Sequence, residues 1–290
     1  MRCNRNYHFA DGKELHLGGK TCIMGILNVT PDSFSDGGQW NTVAKAKQHL
    51  LQMVEEGAEI IDIGAESTRP GSTPMTAEEE QARLLPYLRE LVPISPVPLS
   101  VDTYHASTAR LAAACGVHML NDVWGLQYAG EPAGTMAAVA AETGLPLIVM
   151  HNQQGQQYDG DVISIMQAFF RRSLHIAAQA GVKRENIILD PGIGFGKDTP
   201  TNLLVQRRLW ELTVIDGEAY PLLLACSRKR FIGDVLGLPS DERDLATGAA
   251  GVVGILNDAC MLRVHAVEPM AQMAAITDAI RGVAVDADAR

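Results

Sequence analysis

The sequence predicts an α/β protein: a single-domain (β/α)8 TIM barrel with a short N-terminal hairpin. Short runs rich in Ile, Val and Leu alternate with longer helix-patterned segments, the signature of βα units feeding a parallel sheet buried on both faces. Eight such runs fit in 290 residues, the number and length that close a barrel. A hydrophobic content of 47% supplies the large core this needs.

Residues 1–19 are polar and hairpin-like, without the apolar stretch of a signal peptide. Strand-like runs follow at 21–29, 59–66, 98–103, 118–123, 145–151, 186–192, 221–227 and 261–265. Between them, helix patterning covers 42–56, 77–91, 105–115 and 162–180. Thr76 with Glu79 opens the second of these as a capping box, and Gly181 ends the fourth. No linker, charge block or low-complexity segment divides the chain, so 1–290 reads as one domain with a core over about 20–281. The rival fold is a doubly wound open sheet. Its glycine fingerprint is missing, because Gly192, Gly194 and Gly196 are spaced GxGxG rather than GxGxxG.

The formal charge of -10, with no basic run, argues against a nucleic-acid partner, and no segment reads as a membrane span. Cys3, Cys22, Cys115, Cys226 and Cys260 have no zinc spacing and read as reduced core thiols of a cytoplasmic protein. A small-molecule partner is favoured. If it is anionic, it needs a local positive site set against the overall field.

That site is sought where the strands end. A polar residue in a strand buried on both faces costs free energy unless it is satisfied or serves a function. Here nearly every strand carries one: Asn28, Asp62 and Glu66, Asp102, Asn121 and Asp122, His151, Asp190, Lys229, then Arg263 and His265. Any one of them could be a loop cap or a satisfied core group. The ring as a whole does not suit that reading. Asp102, Asn121, Asp190 and Lys229 offer acceptors and donors suited to a flat heterocycle with an amidine-like edge, an amine and a carbonyl. Asn28, Arg263 and His265 suit phosphate oxygens or a hydrated Mg2+. Together they suggest a heterocycle bearing a phosphorylated tail.

From about residue 22 to 279 the chain resembles the dihydropteroate synthases. The resemblance rests on MGILNVTPDSFSDGG at 24–38 and DIGAESTRPG at 62–71. SVDT at 100–103, ND at 121–122, MH at 150–151, LDPGIGFG at 189–196, SRK at 227–229 and RVH at 263–265 follow in the family's order. It implies Mg2+-dependent condensation of 6-hydroxymethyl-7,8-dihydropterin diphosphate with 4-aminobenzoate in folate biosynthesis, by a homodimeric sulfonamide target. Asp190 would accept from the pterin's ring N–H and amine, and Lys229 would donate to its carbonyl. Asn121 and Asp102 would hold the remaining edge, with Met150 lining the pocket. Asn28 would hold the metal, and Arg263, His265 and Thr68 would surround the phosphate oxygens. Phe195, Arg69, Pro70 and Ser227 would frame the arylamine, and Phe34 and Asp36 would lie on a loop that closes over it. Asp102, Asp190, Lys229, Arg263 and His265 are the expected catalytic set.

Two positions depart from the family. Residues 152–157 are polar and proline-free, and Arg230 stands where a small residue is common. Rival readings are a pterin-dependent methyl transferase, which needs no diphosphate site, and a pterin-binding paralogue without turnover. Cys22, Cys226, Met261, Met270 and Met273 read as packing, and His118 and His175 as surface or helix-boundary residues.

Overall fold

The computed structural model describes residues 3–30, 42–66, 74–153 and 158–283. An antiparallel hairpin opens it, β1 (Arg5–His8) and β2 (Glu14–Leu17), pairing Tyr7 with Leu15. Eight strands then form one sheet: β3 (Cys22–Asn28), β4 (Ile60–Gly64), β5 (Leu99–Asp102), β6 (Met119–Asp122), β7 (Leu147–Met150), β8 (Ile187–Asp190), β11 (Leu223–Leu224) and β12 (Met261–Val264). Every neighbouring pair in that sheet is parallel, in the order β11, β12, β3, β4, β5, β6, β7, β8. A parallel bridge from Leu189 to Leu222 joins the two ends. The sheet therefore closes into the expected barrel, and the open-sheet alternative falls.

The helices are α1 (Val43–Glu55), α2 (Ala77–Leu91), α3 (Ala106–Ala114), α4 (Thr135–Thr143), α5 (Val162–Ala180), α6 (Thr199–Arg207), α7 (Arg230–Leu236), α8 (Asp244–Leu256) and α9 (Val267–Ile280). Local chemistry sets several boundaries. Thr76 accepts from the Glu79 amide at 3.2 Å while Glu79 accepts from the Thr76 amide at 3.0 Å, the reciprocal box that opens α2. Gly181, at φ 88, ends α5 in the left-handed conformation.

The core has two parts, as strand periodicity demands. One face of each strand, with Ile23, Leu27, Ile61, Ile63, Val101 and Val149 among its residues, packs in the large cluster that includes helix residues such as Leu50, Leu88 and Phe170. The alternate face supplies Cys22, Met24, Ile60, Met119, Ile148, Ile188, Leu223 and Met261, which fill the barrel at its N-terminal end. Tyr7, Leu15 and Leu17 of the hairpin join this cluster and plug that end.

Three details differ from the sequence reading. A second hairpin, β9 (Val214–Ile215) with β10 (Glu218–Ala219), turns through Asp216 and Gly217, both at positive φ, an Asp-Gly turn signal that was present but unread. β11 is shorter than the run 221–227, because the chain leaves the sheet at Ala225 to shape the loop that carries Ser227 and Lys229. His118 is neither a surface nor a helix-boundary residue. It is buried at the start of β6, accepting from the Leu99 amide at 3.0 Å and reaching Asp11 at 3.0 Å, which ties the hairpin to the barrel.

Candidate active site

The strand period places the site. Two residues beyond the apolar interior layer come Asp62 after Ile60, Asn121 after Met119, Met150 after Ile148, Asp190 after Ile188 and Arg263 after Met261. All keep the parity that faces the barrel axis. The register adds Asn28 opposite Gly64, and Gly64 opposite Asp102. The polar ring therefore forms one inward-facing layer at the C-terminal ends of the strands, where barrel enzymes carry their chemistry.

Arg263 organises half of the ring. Its Nε donates to Asp62 Oδ2 at 2.6 Å and one Nη donates to Asp102 Oδ2 at 2.9 Å. Asn121 Nδ2 donates to the same Asp62 oxygen at 2.9 Å. Beside the phosphate role expected of it, Arg263 thus has a contact the sequence did not reveal: its guanidinium pairs with two carboxylates, because such a group held away from water needs a counter-charge. The other oxygens of Asp62 and Asp102 are buried without a hydrogen-bond partner among the described residues. Burial pushes Asp102 up to about 7 against the pull of Arg263, with repulsion from Asp62 adding to the rise.

The other half is built on the loop after β8. Asp190 accepts from the Gly192 amide at 2.7 Å, and burial raises its pKa against the attraction of Lys229. Lys229 Nζ donates to the Ile193 carbonyl and stands 4.6 Å over the Phe195 ring. Burial lowers Lys229 to about 8, although the charge of Asp190 opposes the fall. The backbone ahead of Lys229 is held by Arg228, a non-glycine at φ 56 whose guanidinium grips both Asp244 oxygens at 2.7 Å and whose amide donates to Thr247. Such a left-handed residue is tolerated only where its surroundings fix it.

Ser227 and His265 form a third pair. Ser227 Oγ accepts from the His265 amide at 3.2 Å and shares a second hydrogen bond with His265 Nδ1 at 2.9 Å, which orients the imidazole. Met150, buried, clusters with Tyr104 and Val123, with Trp124, Tyr128 and Phe195 packed against them as an aromatic wall. Asp122 has a structural role: it accepts from the amides of Trp124 and Leu126 and shapes the turn beyond β6. Glu66 accepts from Tyr104 at 2.9 Å. Arg230 is exposed and pairs with Asp234 at 3.5 Å.

Phe34, Asp36, Thr68, Arg69, Pro70 and part of the loop 152–157 lie outside the described residues. Sequence reasoning missed three groups: the role of Asp62 as shared acceptor, Asp244 behind Arg228, and Lys197. Lys197 Nζ reaches His151 Nδ1 at 3.0 Å and the carbonyls of Gly192 and Phe195 at 2.9 and 3.1 Å. The usable signal was a lysine ending a glycine-rich loop.

No group of three or more His, Cys, Asp and Glu among the described residues could hold a metal ion. Asn28 offers something narrower. A side chain at Gly64 would stand 3.6 Å from Asn28 Oδ1 and 3.7 Å from Asp102 Oδ2, so both oxygens border the space that glycine leaves open. One or two oxygen ligands beside such a space fit Mg2+, which keeps several waters and takes its other ligands from substrate phosphates.

A parallel barrel carrying this inward ring defines a class: residues 24–265 match the family described as pterin binding enzyme. The dihydropteroate synthase of Bacillus subtilis is 47% identical over 261 residues, 90% of this chain and 89% of that protein. A solved dihydropteroate synthase from Clostridium difficile, determined in the presence of pteroic acid, matches with TM-score 0.84 at 45% identity, covering 91% of this chain and 98% of that one. Another, from Xanthomonas albilineans with 4-aminobenzoic acid, gives TM-score 0.87 at 35% identity over 97% and 100%. Within the pterin binding enzymes, the chain belongs to the dihydropteroate synthases.

Proposed function

We propose that this chain joins 6-hydroxymethyl-7,8-dihydropterin diphosphate to 4-aminobenzoate, releasing diphosphate and 7,8-dihydropteroate. The observation that carries the reading is the convergence of Asp102, Asn121, Asp190 and Lys229 at the C-terminal mouth of the barrel, Asn121 and Asp190 buried, with Arg263 bridging Asp62 and Asp102. Asp190 accepts from the pterin's ring N–H and amine, Lys229 donates to its carbonyl, and Asn121 and Asp102 hold the far edge. Met150 and the aromatic wall enclose the ring.

In the reaction the bond from the exocyclic methylene carbon to the diphosphate oxygen breaks, a carbon–nitrogen bond to the arylamine forms, and the amine gives up a proton. Asp102 and Asp190 stabilise positive charge spreading into the ring, while Arg263 and His265 face the departing phosphates with Thr68. Asn28 would hold Mg2+, which when bound would supply further neutralisation of the leaving diphosphate. Phe195, Ser227, Arg69 and Pro70 frame the amine, and Phe34 and Asp36 complete that side.

Turnover tests the reading. Purified protein with Mg2+ and the pterin diphosphate should release diphosphate only when 4-aminobenzoate is present, with dihydropteroate formed one for one. Pterin binding without amine-dependent release would favour a paralogue that has lost turnover, and methyl transfer from a reduced pterin would favour the methyl transferase reading. We further propose a homodimer formed through the barrel's second half, where Leu203, Leu245, Val253 and Leu256 are exposed. Among the described residues no helix is long and apolar enough to cross a membrane.

A further inference from the structure

We propose that Lys197 is a positioning residue for the second substrate: its ammonium ties the loop after β8 to the end of β7 and so sets where Phe195 stands. The inference rests on the reading above that places Phe195 beside the arylamine.

A lysine ammonium has three donors, and three acceptors surround this one. Gly192 O is at the start of the loop, Phe195 O is near its end, and His151 Nδ1 follows β7. The loop is therefore folded back onto its own lysine and pinned to a neighbouring strand. What it carries is the site's second half: the Gly192 amide on Asp190, the Ile193 carbonyl on Lys229, and the Phe195 ring over the Lys229 ammonium.

Asn202 braces the loop independently. Its Oδ1 accepts from the Gly194 amide at 2.7 Å, and its Nδ2 donates to the carbonyls of Lys197 and Asp198 at 3.1 and 2.9 Å. The loop's course therefore survives without the ammonium, while Phe195 loses the contact that fixes its carbonyl. Three hydrogen bonds offset the cost of holding the ammonium away from water, and no carboxylate among the described residues touches it. Its direct partners are neutral: burial, followed by the neighbouring Lys197 charge, holds the His151 imidazole far below its ordinary pKa, and its Nε2 N–H is spent on Gln153. Lys229 repels Lys197 and Asp190 attracts it, and burial brings Lys197 down to about 7. Each of those three bonds fixes one point of the loop that carries Phe195, so the geometry points to positioning.

A double-mutant cycle tests this. KM for 4-aminobenzoate, kcat, and the calorimetric Kd for a phosphate-free dihydropterin are measured for the parent, Lys197→Met, Phe195→Ala and the double variant. Lys197→Met should raise the amine KM roughly tenfold, with pterin Kd changed less than about threefold and kcat affected less than KM. In the double variant KM should be no higher than in Phe195→Ala alone, because both changes remove the same feature. Additive effects on KM, or a pterin Kd that weakens as much as KM, would overturn the inference. If Phe195→Ala leaves KM unchanged, the placing of Phe195 in the amine site fails and the inference with it; if Phe195→Ala raises KM and Lys197→Met does not, the inference alone fails. Should Lys197→Met not fold, Lys197→Gln, which keeps two donors on a shorter chain, enters the same cycle.

Discussion

Lys229 has to be charged to serve a pterin carbonyl, and it sits close to losing that charge. Burial lowers its pKa to about 8, with Arg263 adding to the fall and Asp190 resisting it. For a lysine whose pKa is depressed, the ammonium persists below that value and is lost above it. Affinity for a phosphate-free dihydropterin should then fall about tenfold per unit beyond about 8, a limb that lies above the titration of Asp102, which burial raises to about 7. Lys229→Met should abolish that alkaline limb, which separates it from the titration of Lys197. Calorimetry across this range decides, and a flat profile to pH 9.5 in the parent would remove Lys229 from the pterin site. Most of this chemistry was legible residue by residue, because Asp190 and Asn121 are anomalies inside apolar strands. The pairings were not. Arg263 meets residues 201 and 161 positions away, a relation that only closure of the barrel creates. Lys197 could be flagged only as a lysine ending a glycine-rich loop; the imidazole it faces, 46 positions away, is set by the packing of β7 against β8.

The strands and helices were legible for a simple reason: period and capping are local. Apolar runs marked all eight barrel strands, and α2 and α5 begin and end where Thr76 and Gly181 said they would. Loops after the strands were less readable, because their shape depends on close approaches between distant segments. Gly192 shows the difference. It lies at φ 62, and an added Cβ would fall 2.0 Å from the His151 carbonyl oxygen, backbone that cannot swing aside. Gly181 has a similar φ of 88 but open space around it. Gly181→Ala should therefore cost only the backbone strain, about 1 kcal/mol, whereas Gly192→Ala should exceed about 3 kcal/mol by adding a clash between β7 and the loop after β8. Thermal and urea unfolding of the two variants measures the gap. Equal losses would mean that the loop after β8 yields more freely than its contacts imply.

A barrel with helices outside should show one polar face per helix to water, and α8 does not. Its inward face, Thr247, Gly248, Gly251, Gly254 and Ile255, is buried against the barrel. Its outward positions Leu245, Ala249, Val253 and Leu256, spaced by four, four and three, form a second apolar stripe that is exposed. A helix apolar on both faces is one that is covered on both faces. The adjoining groove, lined by Leu203, Phe231, Ala250 and Val253, continues the surface across α6 and α7. A closed assembly of two copies is the simplest way to bury such a patch, since a two-fold axis brings α8 of one chain against the same region of the other. Light scattering should return twice the chain mass at micromolar concentration, and Val253→Glu with Leu256→Glu should return the single-chain mass, because two carboxylates at the centre of an apolar contact cannot be desolvated without partners. The helix itself should persist in that variant, as both positions point away from the barrel and Glu is a good helix former. A parent protein that stays at the single-chain mass would show that α8 is covered in some other way or left open to water.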